Sequence, residues 1–172
     1  GDVGPGLFVK PDVPTFFADV ALPLADIVTP NLFELSLLAG VDLALLASED
    51  DAVAAARKLI ARGPGIVLVT SARFANNNRI ATLAVTAQDA WRVSTPYVEL
   101  SPMPNGMGDC IAALFLGRYL LHRDLAQALS QSVSSLYALV RGTAPDMPRD
   151  LNLIAMQDAL LHAPETFAAE SL

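Results

Sequence analysis

Gly63-Pro64-Gly65-Ile66-Val67-Leu68-Val69-Thr70 is the stretch that decides the fold. Its glycines and proline end whatever precedes them, and the apolar, mostly β-branched run that follows is unbroken. Strict alternation would mark a strand with one wet face. An uninterrupted run marks a strand covered on both faces, and such strands come from βαβ units. Upstream, Ser48-Glu49-Asp50-Asp51 opens a helix predicted over residues 51–62, with Arg57, Lys58 and Arg62 toward its end, so the helix dipole is served at both ends. Ala25 to Thr29 is a compact apolar run stopped by Pro30, the pattern of a second buried strand. Asn31 can cap a helix over Leu32 to Ala39, which Gly40 stops. Before these, residues 1–13 read as a glycine- and proline-rich loop and Thr15 to Leu22 as a short helix.

Downstream, Arg79 to Thr86 and Trp91 to Thr95 alternate apolar and polar residues around Ala87-Gln88-Asp89-Ala90, which predicts an antiparallel hairpin. Three helices follow, near Gly108 to His122, Leu125 to Val140 and Leu151 to Leu161. The sum is an α/β sandwich with a mostly parallel sheet and an antiparallel hairpin at one side, in a single domain over residues 1–172.

Bulk properties narrow the function classes. Hydrophobic content is 53%, yet no stretch approaches the ~18 uninterrupted apolar residues of a membrane span. Eleven Lys and Arg against 18 Asp and Glu give a net charge of −7, which argues against general nucleic-acid binding but not against a small anion held by backbone amides. The single cysteine, Cys110, cannot form an internal disulfide, which suits a reducing cytoplasm, and reads as a small apolar residue. The first residues, Gly1-Asp2-Val3-Gly4-Pro5-Gly6, have neither the basic start nor the apolar core of a secretory peptide and read like the inside of a protein.

In an open α/β sheet, ligands gather beyond the carboxyl ends of the strands. Three polar clusters are predicted there: Thr29-Pro30-Asn31 with Glu34, then Thr70-Ser71, then Pro104-Asn105-Gly106-Met107-Gly108-Asp109 at the mouth of a buried helix. Gly106 and Gly108 can turn sharply and let backbone N–H groups approach an anion, and the helix start adds partial positive charge. Asp109 is poorly suited to holding phosphate itself, because like charges repel. It is well suited to taking a proton from a hydroxyl that attacks phosphate, which is kinase chemistry. Each cluster also has a purely structural reading. Asp109 would complement the helix dipole, Asn31 and Glu34 would form an N-cap with its reciprocal partner, and Thr70-Ser71 would end a strand. Their coincidence on one rim favours a site.

Ala25 to Asn31 with Glu34-Leu35, then Val67 to Ser71, then Asn105 to Asp109 with Ala112-Ala113-Leu114 behind them, resemble pyridoxal kinase of the ribokinase-like superfamily. The segment from Leu151 to Phe167 resembles the family's tail, so the likeness runs in one order from Gly1 to about Phe167. It implies transfer of the ATP γ-phosphate to the 5′-hydroxyl of pyridoxal, pyridoxine or pyridoxamine. By position, Asp109 would be the base, and the amides of Gly106, Met107, Gly108 and Asp109 the anion hole. Met107 stands where the family more often has Thr, Ala or Val, and a backbone donor survives that change. Asn31 and Glu34 would organise Mg²⁺. Asp2, Thr29, Glu34 and Thr70 would surround a monovalent cation such as K⁺ and the nucleotide phosphates, Ser71 would touch phosphate, and Phe8 would lie in a loop approaching ATP. Trp91 and Pro96 would pack the hairpin. The family further implies a cytoplasmic homodimer acting on small molecules, with no nucleic-acid or membrane partner.

The resemblance lacks the family's amino-terminal part, with its first strands and most contacts to the pyridine ring. Two alternatives follow: another ribokinase-like kinase, acting on hydroxymethylpyrimidine or a sugar, or a truncated, catalytically silent nucleotide-binding fragment.

Overall fold

The computed structural model describes residues 10, 12–74, 78–101, 103–143 and 150–172. Its strands are β1 (Ile27–Val28), β2 (Ile66–Ala72), β3 (Arg79–Val85), β4 (Ala90–Pro96) and β5 (Glu170–Ser171), in one sheet of order β1-β2-β3-β4-β5. Its helices are α1 (Val13–Phe16), α2 (Leu32–Ala39), α3 (Glu49–Ile60), α4 (Met107–His122), α5 (Leu125–Arg141) and α6 (Gln157–Leu161). β1 runs parallel to β2, with Ile27 opposite Ile66 and Val28 opposite Val67. Residues 73–78 and 86–89, which join β2 to β3 and β3 to β4, are too few for the crossover that parallel neighbours need, so the chain reverses at each. β5 is antiparallel to β4. The sheet is therefore mixed rather than mostly parallel, because a helical crossover occurs only between β1 and β2 among the described residues.

The chain divides into two compact units, one holding residues up to 76 with Leu83–Ala90 and Leu172, the other Asn77–Thr82 and Trp91–Ser171. In the first unit Val67, Leu68 and Val69 of β2 are sealed from solvent, and α3 turns Ala52, Ala55, Ala56 and Leu59 inward. Sealing each of these β2 side chains contributes about 1.5–3 kcal/mol. The helix starts two residues earlier than the sequence suggests, because Ser48 is its cap. Ser48 Oγ accepts from the Asp51 amide at 3.2 Å, and Asp51 Oδ2 accepts from the Ser48 amide at 2.9 Å. The helix expected over 15–22 is helical over a longer span but changes type, from α1 through a π-turn at Phe17–Ala21 to a 3-10 turn at Leu22–Leu24. It closes against Gly63, where a Cβ would lie 2.6 Å from Pro23 Cα and 2.8 Å from the Leu22 carbonyl oxygen. Because the 3-10 turn runs up to Ala25, β1 is shorter than expected. Its flanks still face β2. The Asp26 carbonyl accepts from the Gly65 and Ile66 amides at 2.9 and 3.2 Å, and the Pro30 carbonyl from the Thr70 amide at 2.9 Å.

The hairpin turn falls one residue earlier than expected, at Thr86 to Asp89. Thr86 Oγ1 accepts from the Asp89 amide at 2.8 Å, and the Thr86 amide donates to the Asp89 carbonyl at 2.8 Å.

In the second unit only Arg123 and Asp124 separate α4 from α5, so the two helices fold back on each other. α5 buries Ala128, Leu129, Ser132, Val133 and Leu139, as its amphipathic pattern requires. The expectation of a buried helix after Asp109 is corrected in part. α4 seals Ile111 and Phe115, while Leu116, Leu120 and Leu121 are exposed, since its apolar residues surround the helix and α5 covers one side. Arg118 Nη2 ties this unit together, donating to Ser135 Oγ at 2.8 Å and to the Leu160 carbonyl at 2.6 Å. α6 is shorter than the helix expected over 151–161. Leu153 to Met156 form a turn instead, with Met156 packed into the space a Cβ on Gly142 would fill. The tail is strapped down at Phe167, whose amide donates to Ser134 Oγ at 2.9 Å and whose carbonyl accepts from Ser130 Oγ at 2.6 Å. Arg92 pairs with Glu170 where β5 lies along β4.

Candidate active site

In the first unit, the sheet delivers Asn31 and Thr70 to the same level, where an isolated parallel bridge joins them just past β1. Asn31 is the N-cap of α2. Its Oδ1 accepts from the Glu34 amide at 2.9 Å, and Glu34 Oε2 accepts from the Asn31 amide at 2.9 Å. The capping box uses one oxygen of each side chain. Glu34 keeps Oε1 without a partner among the described residues, and Asn31 keeps its amide NH₂. Thr29 and Glu34 are half-buried and both border one cavity, while Thr70 is buried. Ser71 stands in the left-handed region at φ 55, an exposed residue between buried Thr70 and Ala72. A non-glycine residue held there costs roughly 1–2 kcal/mol, and such strain gathers at functional turns. The sequence offers no signal for it.

In the second unit, Gly106 at φ 81 and ψ 3 turns the chain into α4, a conformation that favours glycine. The first helical bond runs from the Cys110 amide to the Gly106 carbonyl at 2.9 Å. The N–H groups of Met107, Gly108 and Asp109 therefore precede any helical acceptor and have no backbone partner among the described residues. Gly108 is not required by space, since a Cβ there would meet nothing. Asp109, in the first turn, is exposed, and among the described residues its carboxylate makes no hydrogen bond or ion pair. One turn in, burial pushes the Cys110 thiol above its ordinary pKa, opposed by the nearby Arg118 guanidinium.

Thus Asn31, Glu34 and Thr70 are gathered, with Thr29 and Ser71 next to them in the chain, and Gly106, Met107, Gly108 and Asp109 form a helix start whose first N–H groups lack a backbone partner among the described residues. Asp2 and Phe8 lie outside the described residues. Among the described residues no three His, Cys, Asp or Glu side chains cluster as a metal centre, and no helix is long and apolar enough to cross a membrane. What the first unit offers a hard cation is the Glu34 Oε1 atom, without a partner among the described residues, on a cavity that Thr29 also borders. That set suits Mg²⁺, which is commonly held by one or two carboxylates together with phosphates and water.

Residues 6–149 match the family model described as phosphomethylpyrimidine kinase. The pyridoxal kinase of Rubrobacter xylanophilus is 46% identical over 170 residues, 97% of this chain and 57% of that protein. The pyridoxal kinase of Deinococcus radiodurans is 47% identical over 176 residues, 99% of this chain and 58% of that protein. The chain thus spans about three-fifths of the length of the curated relatives it matches. A pyridoxal kinase structure from Leishmania donovani, in complex with ADP and pyridoxine, superposes with a TM-score of 0.85 at 23% identity over 100% of this chain and 59% of its own, a likeness of fold. The chain belongs to the phosphomethylpyrimidine kinase family, with the ribokinase-like α/β fold that its pyridoxal kinase relatives share.

Proposed function

We propose that residues 1–172 are the ATP-binding and phosphoryl-transfer portion of a pyridoxal kinase, which moves the γ-phosphoryl group of ATP to the 5′-hydroxyl of pyridoxal, pyridoxine or pyridoxamine. The observation that carries this reading is the start of α4, where three backbone N–H groups and an exposed carboxylate all lack a partner among the described residues. Asp109 takes the hydroxyl proton as the alcohol oxygen bonds to the γ-phosphorus, the bond to the β-phosphate oxygen breaks, and ADP leaves. The amides of Met107, Gly108 and Asp109 hold the charge on the transferring group. Asn31 and Glu34 order Mg²⁺, whose role is to neutralise phosphate charge. Thr29, Thr70 and Asp2 adjoin a monovalent cation such as K⁺ and the nucleotide phosphates, Ser71 contacts phosphate, and Phe8 lies toward ATP. The setting is cytoplasmic and the complete enzyme a homodimer.

The experiment is a spectroscopic assay of pyridoxal phosphate formation with Mg-ATP, on this chain joined to the rest of the family's length. Absence of product from all three vitamers in a folded, ATP-binding protein overturns the reading. The family model's description favours one second reading, phosphorylation of a phosphomethylpyrimidine, close to the hydroxymethylpyrimidine kinase that the sequence left as an alternative. A substrate panel that yields only that product selects it.

A further inference from the structure

Along α4, Ile111 and Phe115 are sealed from solvent, and Arg118 falls next on the same stripe, at the i, i+4, i+7 spacing where the pattern asks for an apolar residue. A guanidinium sits there instead. It is half-buried, and no carboxylate pairs with it among the described residues. Burial pulls it below its ordinary pKa. Its Nη1 is enclosed and has no hydrogen-bond partner among the described residues. Stability alone is a poor reason to keep such a group, because an apolar side chain of similar volume would remove the cost of burying an unpaired charge. What the charge does have is a hold on α6. Nη2 donates to the Leu160 carbonyl at 2.6 Å and to Ser135 Oγ at 2.8 Å.

The segment that Arg118 holds also reaches the start of α4. An isolated parallel bridge joins Asp150 to Asn105, the residue before the Gly106 turn, and buried Leu151 and Ala159 anchor the stretch that leads from that bridge to Leu160. Gly106 makes no side-chain cap bond. A capping side chain would take up the N–H groups that a transferring phosphoryl group needs, so the placement of this helix start has to come from elsewhere. We propose that Arg118 is a positioning residue for phosphoryl transfer: by tying α4 to the Leu160 carbonyl it sets the placement of the Met107, Gly108 and Asp109 amides and of the Asp109 carboxylate, while the Asn105–Asp150 bridge fixes the turn itself. The inference rests on the roles proposed above for those four groups, and Arg118 acts through α4 without touching a reactant.

The test compares variants of the full-length enzyme. In Arg118→Met the Leu160 carbonyl keeps the Ser135 hydroxyl as a donor, at 3.2 Å, so Tm is expected to stay within about 2 °C of the parent. Turnover is expected to fall about tenfold or more, since small misplacements of reacting groups carry penalties of that order. KM for ATP and for pyridoxal is expected to change by less than about twofold, because what is lost acts in the transition state. Arg118→Lys keeps the charge and a donor for the Leu160 carbonyl, and is expected to restore most of the lost turnover. Ser135→Ala removes the other member of the same tie. It is expected to lower kcat in the same direction and, combined with Arg118→Met, to add less than its own factor. The inference is overturned by parental kcat in Arg118→Met, by a loss of kcat that tracks a matching loss of Tm or that lysine leaves unrestored, or by Ser135→Ala and Arg118→Met multiplying as independent changes. A parent enzyme that makes no pyridoxal phosphate removes the proposed reaction and this role with it, whereas an active parent matched by Arg118→Met removes this role alone.

Discussion

Two substitutions at Glu34 separate its structural work from its chemical work. In Glu34→Ala the half-buried Asn31 amide loses its acceptor and the capping box opens, a loss of about 1 kcal/mol. For a chain of this size that lowers Tm by about 2–4 °C. In Glu34→Gln the amide oxygen can still accept from the Asn31 N–H. Only the favourable carboxylate at the positive end of α2 is lost, about 0.3–1 kcal/mol; Glu34→Ala loses that carboxylate as well as the acceptor, so the fall in Tm is smaller in Glu34→Gln. Yet both variants lose the anionic Oε1, and both are expected to need about tenfold more Mg²⁺ for half-maximal activity in the full-length enzyme. Thermal unfolding by circular dichroism and a metal titration of pyridoxal phosphate formation give the two readouts. If Glu34→Gln unfolds as early as Glu34→Ala, the capping account fails. An unaltered Mg²⁺ titration in both leaves Glu34 a helix cap and nothing more.

Asp109→Asn in the full-length enzyme is expected to lower kcat by roughly two or more orders of magnitude while ATP affinity stays nearly constant; undiminished turnover removes Asp109 from the base role. Gly63→Ala forces a Cβ to within 2.6 Å of Pro23 Cα, and because backbone cannot step aside, a loss on the order of 2 kcal/mol is expected in denaturant melts. Equal midpoints for Gly63→Ala and the parent contradict the close approach. Burial raises the Cys110 pKa, so the folded state holds its proton more tightly than the unfolded chain. The resulting stability is present below the ordinary thiol pKa and lost as pH climbs through the raised value. Alkylation by iodoacetamide is expected to reach half its limiting rate at a higher pH in the folded protein than in urea, and coincident profiles would contradict the burial.

What the sequence revealed was what local spacing encodes. Asn31 and Glu34 three residues apart and the sealed run Val67-Leu68-Val69 landed where their chemistry directs, whereas the Ser48–Asp51 capping box starts its helix two residues before the expected start. The misses depend on distant partners. The polar pair Glu170–Ser171 becomes a strand only because the edge of β4 lies nearby, with Arg92 opposite Glu170. The helix expected from Leu151 loses its first turn as Met156 is drawn onto Gly142. The π-turn at Phe17–Ala21 and the left-handed Ser71 are backbone states that no residue type there announces. Within the site, the helix start at Gly106 was legible because glycine marks it, whereas the lack of any steric need for glycine at position 108 was not.

The β5 segment has a consequence for how this protein can stick to itself. Glu170 and Ser171 are both exposed and form only a two-residue ribbon, so that flank offers another molecule a short, charged and poorly adhesive border. Among the described residues, the opposite flank at β1 carries no pairing strand and is ringed by apolar side chains. Because β5 covers only Trp91 and Arg92 of β4, a strand arriving on the β5 flank meets a charged and exposed pair first, which disfavours extension of the sheet there.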